Sequence, residues 1–481
     1  MTADVVIVGG GLGGLVCGNL LSRHGMKTLV LERGAQLGGC LQSYRRGGTG
    51  FDTGFHYVGG LGRGESLERV FRLLGLMDLP WRQMDKVYDM VHIAGKAFSL
   101  AQGWDDFVDA LAADFPAERN ALEEYASMVR RCCHSWNGNE RSAVINELME
   151  VNAWDYLNTQ FHDPLLIDVL SGQAIRMELR KESLPLYVFV MAIGGFIESS
   201  WRLEAEGSLI AETLAKGIRE RGGLTVCNAE VKALVEEDGR IVAAETEGGT
   251  AYRGQWFISD VHPAVTLDLV KDSKMIKRLY RRRITSLENT CGMFTVSLKL
   301  KPDVLPYTGR NHYVYSRPGV WSLSEESSEV VGVMVSERCP RGDDVCTDRL
   351  DLLTPTPLSR WSRWSGTSVG RRGEDYERLK CQMADQCVAL AETVMPGLGD
   401  MVERRWTSSP LTWRDYTLTP DGSAYGIRKD CRQPMLTMLS PKTPVPNLLM
   451  TGQSLMLHGI CGVTMTALHT CAEILGPLQM F

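Results

Sequence analysis

The apolar and polar positions at the start of the chain predict a β-α-β unit. Residues 4–8 read DVVIV, a continuous apolar run of the kind that a parallel strand buried on both faces requires. From Leu12 to His24 apolar residues recur three or four positions apart, which predicts a helix. Gly25 can supply the left-handed residue that ends this helix. A second apolar run at residues 27–31 completes the unit.

Farther along, the pattern changes several times. Residues 65–150 have scattered apolar positions that predict mostly helices. Residues 224–249 alternate apolar and polar side chains around a Glu-Asp-Gly turn, which predicts a β-hairpin. A Thr-Pro-Thr-Pro sequence at 354–357 indicates a loop within a region of mixed strands and helices. The remaining predicted elements are a helix at 207–223, strands at 256–259 and 447–450, a turn at 451–453 and a helix at 463–475.

These elements predict an α/β fold in which two domains interleave. A chain of 481 residues is too long for one hydrophobic core, so it is expected to divide. We expect a Rossmann-like dinucleotide-binding domain and an α+β substrate domain. The first is assigned residues 1–75, about 205–265 and 430–481, and the second about 76–204 and 266–429.

Net charge and composition narrow the classes of partner. A formal charge of −6 argues against nucleic acid, which is bound through clustered Lys and Arg. One basic run, at residues 277–283, favours a solvated helix face over peripheral contact with an anionic membrane. The sequence has no run of about eighteen apolar residues, so no membrane-spanning helix is expected. Thirteen cysteines without a CxxC pair, and an N-terminus unlike a signal peptide, predict a cytoplasmic protein with reduced thiols and no metal site.

The glycine cluster after the first strand predicts a dinucleotide site. In the spacing Gly9-x-Gly11-x-x-Gly14, the first glycine permits a tight turn and the second lets the backbone approach a pyrophosphate. The third lets helix and strand pack closely. The helix that begins near Leu12 directs its unpaired N–H groups at that pyrophosphate. Glu32 ends the second strand, where a carboxylate can accept hydrogen bonds from both ribose hydroxyls and repel a 2′-phosphate. A plain β-turn is the alternative, but the strand, helix and acid together favour a dinucleotide.

Two features favour FAD over NAD. A second glycine pair, Gly38-Gly39, follows shortly after Glu32, as expected where the chain lies against an extended cofactor. The chain also returns at its end, where Gly452 and a helix N-terminus near residues 462–464 can supply a late contact. Such a helix N-terminus suits the N1–C2=O edge of a flavin, where negative charge collects on reduction.

Four segments carry a resemblance to a known family. They are ERGAQLGG (32–39), FDTGFHYVGG (51–60), SPLTWRDYTLTPDGSAYG (409–426) and NLLMTGQSLMLHGICGVTMTALHTCAEILG (447–476). Together they resemble the flavoprotein family of phytoene desaturases, carotenoid isomerases and retinol saturases. The similarity covers essentially the whole chain, and the two C-terminal segments are closest to the isomerase and saturase branch. The N-terminal segments are shared with other FAD oxidoreductases, including amine oxidases.

The resemblance implies cofactor contacts residue by residue. Glu32 would bind the adenosine ribose, Val231 would offer its backbone to adenine, and Gly452 would lie near the ribityl chain or phosphates. The position after Gly39 is often basic in such flavoproteins, but here it is Cys40, so an arginine contact is in doubt there. The other implied contacts are Gly9, Gly11, Leu12 and Gly13 at the pyrophosphate, Arg33 and Gly39 along the cofactor, and Val463 and Thr464 beside the isoalloxazine.

Candidate catalytic residues are few. His458 lies in the turn before the last helix and could act as acid or base with a pKa close to neutral. The simpler alternative is that its ring only hydrogen-bonds backbone. His56 is as well suited to wall the flavin as to transfer protons. Tyr425 and Tyr416 lie in a C-terminal segment and could line the substrate entrance, although packing explains them equally well.

The leading hypothesis is an FAD-dependent oxidoreductase that desaturates, saturates or isomerises C=C bonds of a long apolar polyene or isoprenoid. Two alternatives remain open: an amine-oxidase-like flavoenzyme acting on C–N bonds, and a non-enzyme of the Rab-GDP-dissociation-inhibitor type that binds prenylated partners. Intact Gly11, Gly14 and Glu32 argue against the last. The expected partner is an apolar small molecule, and the sequence does not indicate an oligomeric state.

Overall fold

The computed structural model describes residues 2–135, 141–323, 329–342 and 344–476. Most of the strands form two large sheets. The strands are β1 (Thr2–Val8), β2 (Thr28–Leu31), β3 (Ser43–Arg46), β4 (Thr49–Asp52), β5 (Val58–Gly59), β6 (Trp81–Gln83), β7 (Val87–Ile93), β8 (Lys96–Ala101), β9 (Ser200–Leu203), β10 (Leu224–Val226), β11 (Val231–Glu237), β12 (Arg240–Thr246), β13 (Ala251–Ser259), β14 (Gly292–Leu300), β15 (Asn311–Tyr315), β16 (Gly332–Glu337), β17 (Arg349–Thr356), β18 (Val402–Ser408) and β19 (Leu448–Met450).

Helices cover both sheets. They are α1 (Leu12–Arg23), α2 (Glu68–Leu74), α3 (Trp104–Asp114), α4 (Arg119–His134), α5 (Arg141–Met149), α6 (Ala153–Gln160), α7 (Pro164–Leu170), α8 (Leu186–Met191), α9 (Gly194–Glu198), α10 (Ser208–Glu220), α11 (Pro263–Leu269), α12 (Arg278–Thr285), α13 (Glu374–Glu392), α14 (Leu398–Met401), α15 (Pro410–Thr417), α16 (Pro434–Thr437) and α17 (Gly459–Leu475). None of the described helices is long and apolar enough to cross a membrane.

The first sheet confirms the predicted Rossmann-like core. Its strand order is β10-β2-β1-β13-β12-β11, and β19 pairs with β13. The strands β10, β2, β1, β13 and β19 pair in parallel, whereas β12 and β11 add an antiparallel hairpin. The side chains of β1 from Val5 to Ile7 are fully buried. Helices α1, α10 and α17 pack on one face of the sheet, and residues of the β11–β12 hairpin pack on the other face. The predicted apolar run is therefore the centre of the sheet.

The second large sheet has seven strands and is separate from the Rossmann-like sheet. Its order is β18-β14-β17-β16-β15-β7-β8, and its pairs are antiparallel except for β15 with β7. Helices α3 to α9 pack on one face and α13 packs on the other. The basic run is helical, and Leu279 on α12 is 80% exposed between its charged neighbours.

One local prediction was incomplete and two were wrong. Residues 65–150 contain more helix than strand, as predicted, but the strands β6, β7 and β8 were missed. In β7 the buried Asp89 interrupts the alternation that a strand usually shows. The expected loop at 354–357 lies mostly within β17, where Pro355 pairs with Met293 just beyond the last residue that pairs with β16. The last helix begins at Gly459, four residues before the predicted start, so residues 462–464 are not its N-terminus.

Candidate cofactor and substrate site

A cavity of about 570 Å³ is lined by residues of both large sheets and of the helices and loops between them. One end is formed by the tips of the first sheet, including Glu32 and Val231. The other end is apolar, with Met293, Met334 and Leu353 contributed by the second sheet. The cavity therefore joins the predicted dinucleotide site to an apolar chamber.

The glycine turn at the first end leaves no room for side chains. A Cβ at Gly14 would come within 2.2 Å of the carbonyl oxygen of Gly9, and a Cβ at Gly13 within 2.4 Å of Asp260 Oδ1. Gly9 itself has a φ of 100°, which favours glycine. Gly11 is the N-cap of α1 and offers no side-chain cap, so the N–H groups of Leu12 and Gly13 in the first turn remain available to an anion.

Glu32 stands at the end of β2, as predicted. Its carboxylate accepts hydrogen bonds from the backbone N–H of Gly10 at 2.8 Å and of Gly34 at 2.7 Å. These two bonds hold the carboxylate against the glycine turn while it borders the cavity. A carboxylate can accept about four hydrogen bonds, so capacity remains for two ribose hydroxyls.

Asp260 is a site residue that the sequence analysis missed. It follows β13 directly and lies beneath the turn, where Gly11 and Gly14 donate backbone hydrogen bonds to it. Burial, reinforced by the charge of Glu32, raises the pKa of Asp260 to about 7. An acidic residue directly after a buried parallel strand is the signal that would have found it, because the carboxyl ends of such strands form the ligand site.

The N-terminus of α17 opens into the same cavity. Residues 459–463 all line it, and the N-cap His458 provides no side-chain cap. Val463 thus lines the cavity, and its contact with an isoalloxazine stays a prediction. Thr464 lies in the second turn, and its buried Oγ1 has no hydrogen-bond partner among the described residues. The two uncapped helix N-termini, of α1 and α17, face one cavity.

The remaining predicted cofactor residues lie along the same wall. Arg33 borders the cavity but donates through Nη2 to the carbonyls of Asp415 at 2.7 Å and Tyr416 at 3.0 Å. Burial raises the pKa of Cys40 to about 11, so it is present as a neutral thiol. The others that line the cavity are Gly9, Gly11, Leu12, Gly13, Gly38, Gly39, Val231 and Gly452, whereas Gly14 is buried behind the turn.

The predicted near-neutral pKa of His458 is wrong. The ring lines the cavity, and its Nε2 donates to the carbonyl oxygen of Arg176 at 3.0 Å. Because a carbonyl can only accept, Nε2 carries the proton. Burial lowers the pKa of His458 to about 4, so the ring is neutral near pH 7. The simpler alternative, a histidine that hydrogen-bonds backbone, describes it.

His56 and Tyr425 also border the cavity without titrating near neutrality. Burial lowers the pKa of His56 to about 3, and its Nδ1 has no partner among the described residues. Burial raises the pKa of Tyr425 well above its usual value, and its hydroxyl donates to the carbonyl of Ile175 at 2.7 Å. The ring of Tyr425 lies 4.7 Å from that of His458. Tyr416 is 59% exposed at the edge of the cavity.

Arg176 is the second site residue that the sequence analysis missed. It ends a 3₁₀ segment, Gly172–Arg176, and borders the cavity close to His458. Its guanidinium lies over the rings of Phe196 and Tyr57, with Cζ 4.0 and 5.0 Å from their centroids. The neighbouring sequence does not distinguish Arg176 as a site residue, because single arginines after a helical turn are common.

Comparison with known proteins agrees with this geometry. A family model described as an NAD(P)-binding Rossmann-like domain matches residues 7–74. The all-trans-retinol 13,14-reductase of Rattus norvegicus is 24% identical over 98% of this chain and 85% of its own. A chloroplastic prolycopene isomerase of Daucus carota is 23% identical over 94% of this chain and 76% of its own. Among solved structures, a redesigned putrescine oxidase matches the fold with a TM-score of 0.65 and 14% identity, covering 98% of this chain and 99% of that chain.

The fold and the glycine turn define a protein with a Rossmann-like dinucleotide-binding domain, and the relatives that it resembles are named as a reductase and an isomerase. Within that class, the chain fits the family of phytoene desaturases, carotenoid isomerases and retinol saturases. The resemblance carried by the four sequence segments is confirmed.

Proposed function

We propose that this protein is an FAD-dependent oxidoreductase that acts on C=C bonds of a long apolar polyene or isoprenoid. The observation that carries the proposal is the continuity of one cavity from the glycine turn to the apolar chamber. Relatives named for a retinoid and a carotenoid support the same substrate class.

The residues present fit FAD. At one end, the uncapped N-terminus of α1 and the carboxylate of Glu32 suit the diphosphate and ribose. Helix α17 offers to the same cavity a second N-terminus without a side-chain cap, which suits the electron-rich edge of a flavin. Thr464 is buried and does not line the cavity. The chemistry supplied by bound FAD is hydride transfer, and the protein positions the substrate carbon.

The side chains beside the N-terminus of α17 position backbone segments and are neutral near pH 7, because burial lowers the pKa values of His56 and His458 and raises that of Tyr425. His458 fixes the segment that carries Arg176 by donating to its carbonyl. Tyr425 fixes the neighbouring carbonyl of Ile175. Burial keeps His56 and His458 neutral, so the wall presents aromatic and imidazole surfaces to an apolar substrate. Burial of such a substrate contributes about 25 cal/mol per Å² of apolar surface.

An amine substrate is less well supported, although the fold is shared with putrescine oxidase. Amines are cationic near pH 7, and the chamber holds the guanidinium of Arg176 over Phe196. A second cation beside it would be repelled.

Anaerobic spectroscopy tests the proposal. We expect purified protein to be yellow and to release FAD on denaturation. Incubation with a retinoid or carotenoid should then bleach the flavin absorbance or change the absorbance of the polyene. Amines serve as the comparison: they are tested for bleaching of the flavin without oxygen and, in a separate assay in air, for release of peroxide. A flavin that responds to amines and to no polyene would contradict the substrate class, and a colourless protein that binds no added FAD would contradict the cofactor.

A further inference from the structure

Arg176 is a charged side chain that faces the apolar chamber. Among the described residues that line the cavity, the other aspartates, glutamates, lysines and arginines belong to β2, β11, β13, α11 or residues directly beside them. Those charges surround the proposed dinucleotide end. Arg176 therefore places a cation at the substrate end, next to the N-cap of α17.

A chain of hydrogen bonds fixes the guanidinium. Its Nη2 donates to Gln173 Oε1 at 2.5 Å, and Gln173 Nε2 donates in turn to the hydroxyl of Tyr88 at 2.7 Å. The rings of Phe196 and Tyr57, whose centroids are 4.4 Å apart, lie side by side against it. A side chain held in this way loses little further freedom when it binds a ligand.

The negative charge that acts on Arg176 belongs to Asp89, whose two carboxylate oxygens already accept hydrogen bonds. Asp89 acts on Arg176 only through space, because its oxygens accept from Tyr57 at 2.8 Å and from Asn311 at 2.7 Å. The Nε–H of Arg176 has no acceptor among the described residues. Arg176 as a whole is half-buried and lines the cavity, so the accessible part of its guanidinium can donate to an acceptor that enters the cavity.

We propose that Arg176 binds an oxygen atom at the end of an otherwise apolar substrate, so that the protein takes oxygenated polyenes in preference to unsubstituted hydrocarbons. This inference rests on the proposed function and specifies its substrate. The shared chemistry is a hydrogen-bond-accepting oxygen, which an alcohol or a carboxylate can supply. A carboxylate gains more, because it can pair with the guanidinium fork through both oxygens.

Binding of matched ligands tests the inference. We would titrate the FAD-loaded protein with a retinoid alcohol, the corresponding carboxylate and the hydrocarbon that lacks the oxygen, and follow quenching of protein fluorescence. The expected result is that the wild-type protein binds both oxygenated ligands about tenfold to a hundredfold more tightly than the hydrocarbon, with the carboxylate tightest. Equal affinity for all three would overturn the inference while leaving the proposed function intact. If none of the three binds, both are wrong.

Two variants assign the preference to the residue. Arg176→Met keeps an unbranched apolar stem but removes the guanidinium, and it should weaken both oxygenated ligands by about tenfold or more, without weakening the hydrocarbon. Arg180→Met, which removes a nearby arginine that does not line the cavity, should leave all three affinities unchanged. Equal weakening of all three ligands by Arg176→Met would overturn the assignment. A shifted absorbance spectrum of the bound flavin in this variant would also overturn it, because Arg176 would then contact the cofactor.

Discussion

Glu32 and Asp260 are two carboxyl groups beside the glycine turn, and they differ in their contacts. Glu32 accepts two backbone hydrogen bonds and still faces the cavity, so it is held in place before any ligand arrives. Asp260 lies beneath the turn, with a pKa raised by burial to the middle of the physiological range. In the proposed complex with FAD, Glu32 would recognise the ribose hydroxyls and Asp260 would set the charge near the diphosphate.

Glu32→Ala should weaken FAD binding by about tenfold to a hundredfold, because two hydrogen bonds to a charged acceptor are lost. Titration of the FAD-free protein with FAD, followed by flavin fluorescence, measures the change. Glu237→Ala, at an exposed position at the end of β11, is the matched control and should bind FAD normally. Unchanged affinity in Glu32→Ala would show that Glu32 does not contact the ribose.

FAD affinity should fall as pH rises through about 7. A diphosphate favours the protonated form of Asp260, whose pKa is about 7, so binding takes up a proton above that value. The loss of affinity should reach at most about tenfold per pH unit. Asp260→Asn cannot ionise and should flatten the profile between pH 6 and 8. Parallel profiles for the two proteins would contradict the assigned position of Asp260.

At the scale of elements, the turn between β1 and α1 depends on contact between backbones. Gly14 packs so closely that any Cβ would overlap the carbonyl of Gly9. That carbonyl belongs to the backbone and cannot rotate away as a side chain would. The close approach lets α1 lie against the sheet with its N-terminus at the cavity.

Gly14→Ala should destabilise the protein by about 1–3 kcal/mol or more, since helix and strand must separate. It should also reduce FAD content, because the N-terminus of α1 moves. Gly248→Ala is the control: its Cβ would meet nothing within 4 Å, so the expected change is within about 0.5 kcal/mol. Urea unfolding and the flavin content of the purified variants measure both effects. Equal stability of the two variants would contradict the close packing.

At the scale of the whole molecule, a buried ion network joins the second sheet to the strand pair β3-β4. Arg338, just after β16, pairs with Asp52 on β4 and with Asp351 on β17, and the Arg338 Nη2 to Asp351 Oδ2 distance is 2.8 Å. Both carboxylates are fully buried. Asp52 also accepts a hydrogen bond from the backbone N–H of Gly207, which leads into α10. The network therefore ties the dinucleotide-binding side to the second sheet.

Arg338→Met should lower the free energy of unfolding by about 3–5 kcal/mol, because two buried carboxylates lose their shared cation. Arg363→Met removes an arginine whose ion pair with Asp375 is 60% exposed on both sides, and it should cost less than about 1 kcal/mol. Urea unfolding at pH 7 compares the two variants. Similar losses in both would show that the network contributes little.

Stability should fall as the solution is acidified from pH 6.5 toward 4. Burial lowers the pKa values of His262, His312 and His458 to about 4 and that of His56 to about 3, so the unfolded chain binds these protons first. Each histidine contributes up to about 1.4 kcal/mol per pH unit in that window. His458→Gln keeps a donor for the Arg176 carbonyl but cannot titrate, so its pH dependence should be shallower by one proton. An unchanged slope in urea titrations would contradict the burial of His458.

The sequence by itself determined the β-α-β unit, the glycine turn, Glu32 and the return of the chain through β19 to the last helix. These features depend on local properties: strand and helix periodicity, the conformational freedom of glycine, and spacing within a short segment. The hairpin of β11 and β12 was predicted for the same reason, because its turn residues lie beside its alternating strands.

Only the tertiary structure decided which side chains meet in the cavity and how they titrate. Arg176 and His458 are 282 positions apart, and neither segment carries a sign of the other. Asp260 becomes a site residue because β13 lies parallel to β1, and His458 loses its near-neutral pKa because distant segments bury it. The strands at 81–101 were not predicted, because the buried Asp89 interrupts their pattern. Its burial depends on hydrogen bonds from Tyr57 and Asn311, which lie in other segments. Desolvation and long-range contact depend on the whole fold, so local patterns do not contain them.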